Sequence, residues 1–486
     1  MAVIASTEPR PWETRHRREH SARHAHAPVA AEGESLAGAL SCLLLIAALL
    51  LGGGTRNYLF SDLIVQVLAS GILVYGLARL RWHELEPGAR QLLVLMVAVL
   101  AIPLLQLMPL PASLITSLPG RSEIYAAREA VGISTPSFLA WSLDPNATLA
   151  SLRALLPAAA ILLLGVQLSP PWRLRFVAII VVLTLLMVAL GALQVAQGPA
   201  SALYFYTPTN TADAVGLFAN RNHYGSMLVV GLIGAFGGIM YHSVLDHRRS
   251  RRVLQLIGWL LLGSILLLGI FLSRSRAAVG LATLMSALLL LMALINRKQR
   301  RNALRWLPII ILLSGLVAVE FGLNRVLPRF QDLDGGQRTD VLPTIGSLTL
   351  RFAASGTGVG SFPAVYEAFE PIEKIAPTIV NHAHNDWAEI WIDAGLLSAL
   401  IVILFTRWFW QRVRELSADW ASARPDNAER LVGALIILSL SLHSLLDYPL
   451  RTTTLSCVFA IACILFLAPR STSAHYANLP AERRLP

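Results

Sequence analysis

The stretch RLRFVAIIVVLTLLMVALGALQVA, residues 173–196, decides the fold. Between Phe176 and Leu193 its only polar side chain is the hydroxyl of Thr184. As a helix it is long enough to cross a hydrocarbon layer of roughly 30 Å. Similar runs recur along the chain, and the segmentation predicts spans at 36–53, 62–80, 91–107, 148–167, 173–196, 221–241, 253–272, 277–295, 304–322, 387–410, 430–446 and 451–468. Bulk composition agrees, with 55% hydrophobic residues, 14% charged residues and a mean hydropathy of +0.59. Soluble domains carry roughly 25% charged residues. The expected fold is an all-α polytopic membrane protein with about twelve transmembrane helices. The first apolar run begins only after about 35 polar residues, so no cleavable signal peptide is expected.

The formal net charge of +11 suggests nucleic acid until the charges are located. Arg10, Arg15, Arg17, Arg18 and Arg23 lie before the first span. Arg248, Arg249, Arg251 and Arg252 follow the sixth, and Arg297, Lys298, Arg300, Arg301 and Arg305 follow the eighth. With the N-terminus inside, about 27 of the 40 cationic residues fall on the inside and about 13 outside. The basic balance is therefore topology, with added attraction to anionic lipid, and no nucleic-acid partner is expected. Both termini are expected inside.

This divides the chain into a disordered inner tail over 1–35, a membrane domain over 36–468 and an inner tail over 469–486. The tail histidines His16, His20, His24 and His26 sit among arginines without apolar periodicity and read as solvated. Cys42, Cys457 and Cys463 fall inside apolar helices, with neither disulfide nor metal spacing. Two excursions lie outside, at about 108–147 and 323–386. In the first, Leu114–Leu118 is short enough to lie flat on the membrane surface. The second contains apolar stretches at 341–352 and 359–369 around GTGVGSF, a turn that permits close backbone approach to a ligand. It lacks the ending of a nucleotide phosphate loop.

Residues 381–386, NHAHND, stand where the second excursion meets the tenth span. Such polar groups are costly near hydrocarbon. His384 is the candidate base, with Asp386 or Asp340 to orient it. The structural alternative is a hydrogen-bonded loop histidine that caps the tenth helix, and an N-cap by Asn385 or Asp386 is expected whatever the function. His382-x-His384-x-Asp386 also begins like a dinuclear metal site, but Trp387-Ala388-Glu389 does not complete one. Arg221, Arg274, Arg276, Arg338, Arg351 and Arg451 collect on the same side, against the charge preference of outside loops. They either pair with Asp340, Glu389, Asp393 and Asp447, or snorkel to lipid headgroups, or form a socket for a lipid-linked phosphate. His443 and Asp447, spaced i,i+4, form a supporting pair. Tyr204, Phe205 and Tyr206 suit either sugar stacking or an interfacial aromatic belt.

In this order and topology, QLMPLP (106–111) with SLDPNAT (142–148), GLFANRNHYGS (216–226), SRSRAA (273–278), GTGVGSF (356–362), AHNDWAEIWIDAGLLSAL (383–400) and SLHSLLDYPLR (441–451) resemble the O-antigen ligase and O-antigen polymerase superfamily of bacterial membrane glycosyltransferases. The resemblance implies a type C glycosyltransferase fold in the inner membrane, with the large loop and active site periplasmic. It implies metal-independent transfer without a cofactor. An undecaprenyl-diphosphate-linked glycan is the implied donor, and a second glycan or lipid A core the acceptor. Membrane lipids and polysaccharide export or chain-length proteins are the implied partners. His384 matches the family's loop histidine, Arg276 its serine-arginine motif and Arg221 its asparagine-rich motif. Arg274, Arg338, Asn385, Asp386, Arg451, His443 and Asp447 complete the expected binding surround. Arg338 departs from the pattern, because Leu342 and Pro343 follow where the family often has tryptophan. The rival class is a transporter or flippase for an anionic lipid or solute, and a third reading is a non-catalytic export scaffold. Few ionisable residues are expected at mid-helix depth, which disfavours the transporter.

Overall fold

The computed structural model describes residues 33–55, 59–207, 213–245, 249–295, 337–375, 379–420 and 425–467. Helices α1 (Gly33–Leu51), α2 (Phe60–Arg79), α3 (Pro87–Gln106), α6 (Pro145–Gly165), α7 (Pro170–Gln197) and α14 (Leu396–Asp419) are long and apolar enough to cross a membrane. Helices α8 (Arg221–Leu245), α9 (Arg249–Leu272), α10 (Arg276–Ile295), α15 (Pro425–His443) and α16 (Thr453–Phe466) complete the bundle. The protein is thus a predominantly helical membrane protein. The expected span at 304–322 and both tails fall outside the described residues, apart from the start of α1 at Gly33.

Helix α16 lies at the centre, packed on α15 and α6, and its side chains from Cys457 to Phe466 are almost all buried. Its neighbours approach closely where they carry glycine: Gly433 of α15 lies against the α16 backbone at Ala462 and Phe466, and Gly165 of α6 against Ile464. Helix starts follow from local chemistry. Pro145 opens α6 after Asp144, whose carboxylate accepts from Ala147 N at 3.0 Å. Thr452 caps α16 through Leu455 N.

The two excursions fold together at one end of this bundle. The first contains a short antiparallel ribbon, β1 (Pro109–Pro111) with β2 (Phe138–Ala140), and helices α4 (Ala112–Thr116) and α5 (Ser122–Ala130). Leu114 on α4 is half exposed. The second contributes α11 (Gln337–Arg351), α12 (Phe362–Phe369) and α13 (Asp386–Ala394). Val341, Ile345, Leu348, Phe352, Phe362, Val365, Tyr366 and Ile392 form a separate apolar core beneath them. The 341–352 and 359–369 stretches are therefore ordered because they bury each other. The side chain of Arg338 lies outside the described residues.

The glycine turn is held by protein on several sides. Gln106 Nε2 donates to Asp393 O at 2.9 Å, and its Oε1 accepts from Val359 N at 2.8 Å. Trp141 Nε1 donates to Ser355 O and Arg121 Nη2 to Gly356 O, each at 2.9 Å. Leu143 N donates to Thr357 O at 2.7 Å. A Cβ at Gly358 would lie 2.1 Å from Ser142 Oγ. The close approach predicted for a ligand is thus made in large part to the first excursion.

One predicted span is corrected. The run 387–410 is two helices, because Gly395 takes φ +55° and separates α13 from α14. Its N–H closes α13 on Trp391 O at 2.8 Å. A Cβ at Gly395 would stand 2.8 Å from Ala353 O and Gly356 N. The apolar run masks this break, since hydropathy alone does not report a left-handed residue. We predict that Gly395→Ala costs about 1–3 kcal/mol through the strained dihedral and the contact. Thermal unfolding in detergent should show a lowered midpoint, and an unchanged midpoint would contradict this account.

Candidate functional site

The loop 381–386 is positioned by its hydrogen bonds to the end of α15. Asn385 caps α13, accepting from Ala388 N at 3.0 Å, and its Nδ2 donates to Leu445 O at 3.1 Å. Asp386 N donates to Ser444 O at 2.9 Å, and Trp387 Nε1 to Ser441 O at 3.0 Å. Immediately ahead of these anchors His384 takes φ +49°, a region that non-glycine residues rarely occupy. This conformation brings its Nδ1 to 3.2 Å from Asp447 Oδ1. A proton shared there leaves Nε2 as the ring acceptor.

Asp447 ties the histidine loop to α8. Its Oδ2 accepts from Asn222 Nδ2 of α8 at 2.6 Å, and its Oδ1 also accepts from Tyr448 N at 3.1 Å. Asn222 Oδ1 in turn accepts from Ser275 Oγ, beside the start of α10, at 2.8 Å. The sequence reading placed Asp386 or Asp340 beside His384; Asp386 turns instead to Arg451, the side chain of Asp340 lies outside the described residues, and Asp447 stands beside His384. The partner comes from a residue 63 positions away in sequence, a contact the local motif does not encode. The rings of His382, His384 and His223 surround Tyr448, with centroids at 4.2, 5.2 and 4.8 Å.

Asp386 belongs to a different cluster. Asp386, Glu389 and Asp393 fall on one face of α13 and converge on Arg451. Arg451 lies 3.5 Å from Asp386 Oδ1, 3.5 Å from Glu389 Oε1 and 3.3 Å from Asp393 Oδ2. Glu389 also accepts from Ala383 N at 2.8 Å and sits 2.9 Å from His382 Nδ1. Burial pushes the Asp386 carboxyl up to about 6, although Arg451 pulls it back. Burial likewise raises Asp393. Glu389 is driven upward by burial but held below the usual carboxylate range by Arg451 and His382. Arg451 is thus engaged with protein carboxylates, and Asn385 and Asp386 do not line the cavity. His382 and His384 address different carboxylates, so the H-x-H spacing does not converge on one point.

The cavity has a volume of about 1730 Å³. His384, Arg221, Arg274, Arg276, His443, Asp447 and Arg451 all line it. Asp213 sets two of the guanidinium groups, pairing with Arg221 and, at 3.2 Å, with Arg274 Nη1. His443 bonds Ser226 through Nδ1. Sequence reasoning missed Asp213, Asn222 and Tyr448 as organisers, and Arg153 on the cavity wall. A guanidinium inside the apolar run 148–167 was itself a readable signal. Tyr204 and Tyr206 donate to Asp213 O and Leu51 O, and they do not line the cavity.

The Arg451 cluster generates a pH test. Because the folded Asp386 binds its proton more tightly than the unfolded chain, its contribution to stability is present at low pH. It is lost as pH rises from about 4 to 6. Asp386→Asn should therefore flatten the fall of the thermal midpoint across this window relative to wild type. Equal slopes in the two proteins would show that Asp386 does not titrate as described.

No curated protein matches the chain. The family model described as O-antigen ligase matches residues 260–403. That segment holds Arg274, Arg276, the glycine turn, His382, His384 and α13, while Arg153, Arg221, Asp447 and Arg451 reach the same site from outside it. Over the segment that carries His384 and the 274–276 arginines, the chain is therefore similar to the O-antigen ligase family.

Proposed function

We propose that the protein transfers a glycan from an undecaprenyl-diphosphate-linked donor to a sugar hydroxyl during cell-surface polysaccharide synthesis. The observation that carries this reading is His384, backed by Asp447, on the wall of a cavity also lined by Arg221, Arg274 and Arg276. In this reading the chain spans the bacterial inner membrane with both termini cytoplasmic and the cavity opening to the periplasm, in keeping with the distribution of Lys and Arg. Export or chain-length proteins would act on the same glycan.

The acceptor hydroxyl loses its proton to His384 Nε2 as its oxygen attacks the anomeric carbon. The bond from that carbon to the diphosphate oxygen breaks, and undecaprenyl diphosphate leaves with the electron pair. The arginines stabilise the charge that develops on this leaving group, and direct displacement inverts the anomeric centre. Asp447 holds the imidazole tautomer and stabilises the imidazolium. The transfer requires no metal in this scheme. The acceptor, a second lipid-linked glycan or lipid A core, separates polymerase from ligase.

A chromosomal His384→Ala change in the native host tests the reading through the polysaccharide ladder. Loss of the ladder with accumulation of lipid-linked single repeats is the polymerase outcome. Full-length chains retained on undecaprenyl diphosphate, with bare lipid A core, are the ligase outcome. An unchanged ladder with normally inserted protein removes His384 from the mechanism and favours the transporter class. Arg276→Lys keeps the charge but loses the planar fork, and should weaken donor binding about tenfold. Wild-type donor affinity in that variant would contradict bidentate phosphate contact.

A further inference from the structure

Arg153 lies on α6, whose composition and length suit a membrane span, and it lines the same cavity as His384. It is eight residues past Pro145, so its Cα lies about 12 Å along the axis at roughly 1.5 Å per residue. Its Nε is buried without a hydrogen-bond partner among the described residues, and no carboxylate among them forms an ion pair with it. A guanidinium at such depth is expensive unless it faces a partner or an aqueous space. Arg221 and Arg276, by contrast, stand at the first residues of α8 and α10.

Helix α2 packs on α6. Gly76 of α2 lies against Leu163 and Leu164 of α6. Gln66 on α2 and Arg153 on α6 each stand ten residues ahead of this contact, counted from Gly76 and Leu163. Gln66 also lines the cavity. Asp62, one turn closer to the start of α2, is engaged by Thr453 Oγ1 at 2.8 Å. Leu59, Phe60, Leu63 and Leu155 are apolar members of the same lining, and Ser151, Thr453 and Ser456 are polar ones. A cation and an amide that share one cavity with these apolar side chains and with Arg221, Arg274 and Arg276 suit an anionic group attached to a hydrocarbon chain.

We infer that Arg153, assisted by Gln66, binds the phosphoryl group nearest the polyprenyl chain. Arg221, Arg274 and Arg276 are left to the phosphoryl group that carries the glycan. This assignment rests on the glycosyltransferase reading. Arg153 is a binding and positioning residue in it, and it keeps the same partner after transfer, when the lipid diphosphate has lost its sugar.

The test is binding of undecaprenyl monophosphate to the full chain in nanodiscs of phosphatidylcholine, with undecaprenol and inorganic phosphate as comparison probes. Wild type should bind the monophosphate better than undecaprenol, and millimolar inorganic phosphate should not displace it. Arg153→Gln should weaken monophosphate binding about tenfold or more, as expected for a lost charge-assisted contact, and leave undecaprenol binding unchanged. Equal monophosphate affinity in wild type and Arg153→Gln overturns this assignment and leaves the transferase reading standing. A wild-type protein that does not prefer the monophosphate counts against that reading as well. Displacement by inorganic phosphate would instead assign the site to the free anion. If Arg153→Gln does not insert, Arg153→Lys carries the test: a selective loss of monophosphate affinity supports the assignment, and wild-type affinity overturns it.

Discussion

The arrangement depends on one guanidinium, Arg451, placed among three carboxylates. Removing charges from water costs several kcal/mol for each ion, and only close pairing offsets it. Asp386, Glu389 and Asp393 could not line one face of α13 in a buried position without this cation. Because Arg451 belongs to the turn between α15 and α16, the pairing fixes α13 to the central helices. The same carboxylates reach outward to the glycine turn through Gly360 N and to the histidine loop through Ala383 N. The two excursions and the bundle are thereby joined through Arg451, in addition to the hydrogen bonds of the histidine loop and of Gln106.

From that point the positions of the site residues follow. The loop ahead of α13 is short and tied at both ends, so His384 is forced into a left-handed conformation that turns its ring toward Asp447. Asp447 is fixed in turn by Asn222, and Asn222 by Ser275, which carries the alignment to the start of α10. Asp213 does for Arg221 and Arg274 what Asp447 does for His384. A set of carboxylates holds the groups of opposite or titratable charge at defined positions around the cavity. The binding surround is therefore built before any ligand arrives, which lowers the ordering cost of binding.

Much of this was legible in the sequence, and the remainder was hidden for physical reasons. Long apolar runs give helices wherever hydropathy dominates, so the spans at 62–80, 148–167 and 173–196 reappear within a few residues. The break at Gly395 was invisible because a left-handed dihedral leaves no trace in hydropathy. His384 and its motif stood out because polar groups are rare at a membrane boundary, but its partner did not, because Asp447 is adjacent only in the fold. Arg451 was marked as a binding residue, and beyond lining the cavity it pairs with three carboxylates of α13 that are adjacent to it only in the fold. The spare guanidinium at Arg153 was overlooked because a single charge does not spoil the average over an apolar run.

The most direct test is a structure of the protein with a non-hydrolysable undecaprenyl-diphosphate-linked glycan analogue bound. The account predicts phosphate oxygens within hydrogen-bond distance of Arg221, Arg274 or Arg276, with His384 facing the anomeric carbon from the side opposite the diphosphate. A diphosphate seated away from these arginines, or a glycan whose anomeric carbon is remote from His384, would contradict it.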